Sequence, residues 1–141
     1  MCLRVFCKDN PEQFESLKAN AQSLGAAFQK INFLRDMKSD FEDRGRTYFP
    51  GIDYSNFTDA DKKMIEADID KDFKHGYEGI LKLPTSARFG VYLAYNYYVS
   101  LFDKIRKAQA MEVKEKRIRV NDRKKIYLLF SSALKNRLNM I

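Results

Sequence analysis

Residues 28 to 50, FQKINFLRDMKSDFEDRGRTYFP, put Asp36 and Asp40 one helical turn apart, with Arg44 and Arg46 close behind. Two carboxylates at that spacing repel each other, weakly when exposed and more strongly when buried. A hard divalent cation relieves that repulsion. Mg²⁺ takes carboxylate oxygens in an octahedral shell and shares its other positions with water and substrate phosphates. At about 100° per residue, Asn32 lies about 300° round from Gln29, Asp36 about 340° and Asp40 about 20°. These four polar groups line an arc of roughly 80°, and Arg35, at about 240°, flanks it from the edge. A row of amides and carboxylates along three turns is poor core material and good material for a metal. The arginines that follow suit phosphate oxygens. The bland alternative is a solvated helix end bearing accidental acids.

The helix that carries this row starts at NPEQ. Asn10 caps it, Pro11 fits its first position, and Glu12 and Glu15 suit the positive end of its dipole. Phe14, Leu17, Ala21, Leu24, Phe28, Ile31 and Leu34 recur at three and four, which predicts one buried stripe running to about Asp43 and stopping near Gly45. Pro50 and Gly51 mark a loop. Thr58 with Asp61 predicts a capping box opening a second helix, striped by Ile65, Ile69, Phe73, Tyr77 and Ile80. Pro84 ends it, and a third helix is expected from 86 to 113, with VYLAYNYYVSLF central because it is apolar nearly all round. A fourth begins near Asp122 and carries Ile126, Leu129, Phe130, Ala133 and Leu134. Nothing alternates with period two over a useful length. The expected class is all-α, a bundle of long helices.

Composition sets wider bounds. With 45% apolar and 13% aromatic residues in 141, the chain is folded and not a disordered tail. Its net charge of +7 implies an anionic partner: phosphate, nucleic acid or an acidic membrane surface. Cys2 and Cys7 have no metal spacing and read as free thiols of a reducing compartment. No apolar run approaches the roughly 20 residues that cross a bilayer, and MCLRVFCKDN is no signal peptide. The expected location is cytoplasmic, with peripheral contact at the inner face of a membrane. DIDKDFKHGYEG imitates a calcium loop through Asp68, Asp70 and Asp72. Its sixth position is Phe73 and its twelfth Gly79, so a solvated acidic helix face is the better reading. His75, the single histidine, has no partners that would make it a catalytic base.

The run 28 to 50 resembles the second aspartate-rich motif of the squalene/phytoene synthase family, all-α enzymes that join prenyl diphosphates head to head. The family pattern is roughly Q-x-x-N-x-x-R-D-x-x-x-D followed by R-x-Y-x-P, matched by Gln29, Asn32, Arg35, Asp36, Asp40, Arg46, Tyr48 and Pro50. The likeness continues through LPTSARFGVYLAYNYYVSLFDKIRK to KRIRVNDRKK and covers nearly the whole chain. It implies that Asp36 and Asp40 hold Mg²⁺ against a substrate diphosphate and that Gln29 and Asn32 orient the metal shell or the diphosphate. It implies that Arg35, Arg46 and Arg117 bind diphosphate oxygens, with Arg44 an alternative to Arg46 because the intervening loop is one residue longer than in many members. Tyr48 and Tyr98 would lie near the reacting centre, where ring faces steady a carbocation.

Family members are about twice this length and carry a first aspartate-rich motif on an earlier helix. Residues 1–141 are therefore expected to be a single partial domain, the C-terminal half of an isoprenoid-synthase-type fold. That half is expected to be inactive by itself, and to self-associate or need its N-terminal half. The expected product is phytoene-like, with squalene or dehydrosqualene as alternatives. The squalene reaction needs a nicotinamide reductant, and no G-x-G-x-x-G fingerprint occurs. The eukaryotic C-terminal anchor is also missing, which favours a bacterial-type enzyme. Two other classes compete. Residues 104–137 hold 12 Lys or Arg against 3 acids, which could track a nucleic-acid backbone, although a basic face near anionic lipid fits the amphipathic pattern better. A non-catalytic helical interaction module is the third.

Overall fold

The computed structural model describes residues 2–44, 57–115 and 118–138, apart from the side chains of 2, 6, 38–44, 114 and 115. Among the described residues there are six helices and no strand: α1 (Cys2–Phe6), α2 (Pro11–Arg44), α3 (Asp59–Leu81), α4 (Thr85–Lys107), α5 (Ala110–Glu115) and α6 (Asp122–Arg137). The all-α expectation holds.

α2 begins as its sequence dictates, with the Gln13 N–H donating to Asn10 Oδ1 at 3.1 Å. Its 34 residues make a rod of about 50 Å. α3 opens with the expected reciprocal box, in which Asp61 N–H donates to the Thr58 hydroxyl and the Thr58 N–H donates to the Asp61 carboxylate. Partners along their length show α2 and α3 antiparallel. Gln13 meets the Lys82 carbonyl, Asn20 the His75 carbonyl, and Lys30 both Asp68 and Asp72. The two backbones approach closely where α3 has glycine. A Cβ on Gly79 would stand 2.4 Å from Asn20 Cβ, and one on Gly76 2.9 Å from Leu24 Cβ.

The principal core lies between α2, α3 and α4, where Ile31, Leu34, Ile69, Leu101 and Ile105 are fully enclosed. Phe73 of α3 is its aromatic pivot, edge-on to Phe28 and Tyr95 and tilted against Phe102. Burial, with help from the neighbouring Tyr77 and Tyr92, pushes the Tyr95 phenol up. The α3 helix runs unbroken through 68–79, so the calcium-loop likeness is superficial. Its acids are more than a solvated face, however. Asp68 and Asp72 pair with Lys30 of α2, and Asp70 pairs with Arg106 of α4 at 2.7 Å. Burial alone would lower the Lys30 pKa; hydrogen bonds and charge from the two carboxylates outweigh it and raise it.

Four expectations fail. Ala21 is exposed although it falls on the apolar stripe of α2. The helix expected over 86–113 is two helices. α4 ends at Lys107, Ala108 turns extended (φ −81°, ψ 145°), and α5 restarts with the Ala110 N–H donating to Asp59 Oδ1 at 2.9 Å. No Pro or Gly announces this break; the cap comes from α3, a long-range contact. The run 91–99 is mostly half-buried, although Tyr92 is buried. Lastly, the apolar residues of α6 face outward, with Ile126, Leu129, Phe130 and Leu134 all exposed. The buried residue of α6 is Ser132, whose hydroxyl accepts from Asn96 Nδ2 of α4 at 2.9 Å.

Candidate active site

The polar row on α2 comes together in part. Asn32 and Asp36 sit one turn apart, both half-buried, while Gln29 is exposed. Asn32 meets Tyr98 of α4 through its whole amide. Its Nδ2 donates to the phenol oxygen at 3.1 Å, and the Tyr98 hydroxyl lies 3.2 Å from Oδ1. The Tyr98 ring is held on its other side by Phe28, stacked at 4.1 Å between centroids and 15° between planes, and meets Tyr97 edge-on. Tyr98 is thus fixed by a hydrogen bond at its tip and a ring contact along its face. The resemblance set Tyr98 near the reacting centre and did not pair it with Asn32; the register of α4 against α2 brings these two side chains together.

Arg35 folds back on its neighbour. Its Nη2 donates to Asp36 Oδ2 at 2.6 Å, and Nε reaches both carboxylate oxygens at 3.1 Å. That hydrogen bonding, set against some loss from burial, holds the guanidinium charged more firmly than usual. A planar fork that grips one carboxylate has the shape to grip diphosphate oxygens. Asp40, Arg46, Tyr48 and Arg117, also expected at the site, have side chains outside the described residues, as does Arg44. Among the described residues no group of three His, Cys, Asp or Glu side chains could hold a metal ion. The donor chemistry that is described, the Asp36 carboxylate with the Asn32 amide beside it on one face, suits a hard cation as part of a larger set.

N-terminal to this polar row along α2, an apolar groove of about 610 Å³ opens between α2, α3 and α4, with Leu3 of α1 at one side. Phe28, Leu24, Ile80, Leu83 and Val91 line it. So do four glycines in helix interiors: Gly25, Gly76, Gly79 and Gly90. Phe28 belongs to both regions, because it walls the groove and stacks on the Tyr98 that bonds Asn32. The sequence placed Phe28 in a core stripe and missed this double use. The glycines carried a signal, since each weakens its helix relative to alanine.

A model of the squalene/phytoene synthase family matches residues 1–124. The chain belongs to that family. Membership supports a prenyltransferase-type enzyme of isoprenoid biosynthesis, in a family that joins prenyl diphosphates head to head and uses a divalent metal. The all-α architecture agrees with the isoprenoid synthase fold of the family. No curated protein and no solved structure matches the chain. Among the described residues no helix is long and apolar enough to cross a membrane.

Proposed function

We propose that these residues form the C-terminal half of an Mg²⁺-dependent synthase that joins two identical prenyl diphosphates head to head through a cyclopropyl intermediate. The product is phytoene-like, and squalene or dehydrosqualene is the alternative within the same site. The observation that carries the reading is the junction at Phe28, Tyr98 and Asn32, where the polar face bearing Asp36 meets an apolar groove. A substrate with an anionic head and a long apolar tail needs that adjacency.

In this reading Asp36 and Asp40 hold the metal, and Gln29 and Asn32 orient the diphosphate or the metal shell. Arg35, Arg46 and Arg117 grip diphosphate oxygens. Bound Mg²⁺ supplies charge to the departing diphosphate. Arg35 adds a permanent positive charge to the same leaving group. Tyr98, immobilised by Asn32 and Phe28, presents a ring to the positive charge left on the prenyl chain, and Tyr48 is assigned the same role. The groove shields that charge from water. A first aspartate-rich motif comes from an N-terminal half, which packs on the half-buried side of α4 and closes the groove; the 141 residues by themselves then show no turnover. Self-association of the chain through that side is the substitute when the N-terminal half is missing. Peripheral contact with the inner face of a membrane, in the cytoplasm, belongs to the same reading.

Calorimetric titration tests the head of the site. Inorganic diphosphate should bind the chain only with Mg²⁺ present, and equal binding with and without the metal would refute the assignment. In the synthase that contains these residues, where the turnover tests here and below are made, Arg35→Lys should weaken prenyl diphosphate use by about ten- to hundredfold, since a lost charge-assisted hydrogen bond is about 1.5–3 kcal/mol. Unchanged kcat/KM would make Arg35 a partner of Asp36 and nothing more. The tail of the site has its own test. A Cβ at Gly25 or Gly90 meets nothing within 4 Å, so a larger side chain there starts from open space on the groove wall. Both Gly25→Leu and Gly90→Leu should shift the ratio of farnesyl to geranylgeranyl diphosphate turnover toward the shorter substrate. An unchanged ratio in both variants would remove the groove from the substrate path.

A further inference from the structure

Among the described residues ten large apolar side chains are exposed, and six of them lie between 126 and 138: Ile126, Tyr127, Leu129, Phe130, Leu134 and Leu138. Phe130 is 70% exposed and Tyr127 68%. At about 100° per residue these six, with Ala133, fill an arc of roughly 180° on the outer side of α6. The inner side is built from Ser132, fully enclosed and bonded to Asn96 of α4, and from the half-buried Leu128, Ser131 and Asn136. The helix therefore turns one leucine and its serines inward and leaves its larger apolar surface outside, unlike a helix built to feed its own core.

The cations of α6 frame this face. Asp122 and Arg123 fall within the apolar arc at the first turn and Arg137 within it at the last. Lys124 and Lys135 border it on the Leu138 side, and Lys125 on the Leu129 side. Five Lys or Arg against the single Asp122 give the helix a net charge of +4. Residues 125–141, most of α6, lie beyond the family match.

We propose that α6 docks this chain on an anionic lipid surface, lying in the interface plane with Phe130, Tyr127 and Leu134 inserted among acyl chains. The basic frame then meets phosphate headgroups, with the lysine and arginine stems reaching outward along the apolar face. Charge chooses this occupant over a second copy. Two α6 faces brought together would set +4 against +4, whereas an anionic bilayer neutralises both. The inference names the element and lipid class behind the peripheral contact proposed above. It is read by binding alone, so it stands or falls apart from the diphosphate chemistry.

The test is sedimentation of the full chain with vesicles of phosphatidylcholine alone and of phosphatidylcholine and phosphatidylglycerol in equal parts. The anionic vesicles should bind at least about tenfold more tightly, with the advantage fading as salt rises. Phe130→Ser combined with Leu134→Ser should cut that binding about tenfold or more while circular dichroism stays unchanged, because both side chains are exposed. Lys124→Gln, Lys125→Gln and Lys135→Gln together should erase the preference for anionic lipid. Equal binding to both vesicles, or undiminished binding by the Phe130 and Leu134 variant, would overturn the proposal. So would a dimer that this variant dissociates, since a second copy would then cover the face.

Discussion

Asp36→Asn should lower prenyl diphosphate turnover by about a thousandfold in the synthase that contains these residues, with helix content and melting temperature almost unchanged. Asparagine keeps the shape of the side chain and one carbonyl oxygen, so the half-buried position on α2 accommodates it. What it loses is the charge. A metal ligand that stabilises a leaving diphosphate is worth several kcal/mol in the transition state, and each 1.36 kcal/mol is tenfold in rate. The ion pair with Arg35 is lost too, but a partly exposed pair between neighbours contributes about 1 kcal/mol of stability at most. Rate and stability therefore separate, which they would not do if Asp36 served only to hold Arg35. Asp40→Asn should behave alike if Asp40 completes the metal set. Steady-state assays across a range of Mg²⁺ concentration are the measurement. Near-normal turnover of either variant at limiting Mg²⁺ would end the assignment.

Local signals in the sequence were accurate where local physics decides. Asn10 and Pro11 start α2, Thr58 and Asp61 start α3, and Pro84 separates α3 from α4, because caps and proline act within a turn of chain. The spacing of Asn32 and Asp36 on one face followed from helix geometry alone. The failures are all long-range. The break at Ala108 depends on Asp59, some fifty residues earlier in the chain, offering its carboxylate to the start of α5. The outward turn of α6 depends on how it docks on α4, with Ser132 enclosed against Asn96 and Leu128 half-buried, which leaves Ile126, Leu129 and Phe130 outside. The double role of Phe28 depends on the register of α2 against α4, which no periodicity within α2 reports. The side chains of Asp40, Arg46, Tyr48 and Arg117 lie outside the described residues, so their part of the candidate site rests on the motif.

The glycines of α3 were legible only as weak points in a helix, and their consequence is large. Gly79→Ala should destabilise the chain by about 2–4 kcal/mol, although alanine is the better helix former by about 0.5–1 kcal/mol. The new Cβ would stand 2.4 Å from Asn20 Cβ, an atom fixed to the α2 backbone and unable to swing away. α2 and α3 must then separate, at a cost of about 1–3 kcal/mol for overpacking. Separation also strains the bond from Asn20 Nδ2 to the His75 carbonyl, 2.7 Å long and largely out of water; losing it adds about 1–3 kcal/mol. Gly25→Ala is the internal control, because its Cβ meets nothing and should raise the melting temperature slightly. A double-mutant cycle isolates the part that passes through Asn20, its Cβ and its amide bond together. Asn20→Gly removes the opposing Cβ, so Gly79→Ala should cost less in that background than in the wild type, by about 1–3 kcal/mol. Thermal unfolding followed by circular dichroism gives all four corners. A Gly79→Ala chain that melts at or above the wild-type temperature would mean that α2 and α3 do not approach as closely as the Asn20 and Gly79 contact requires.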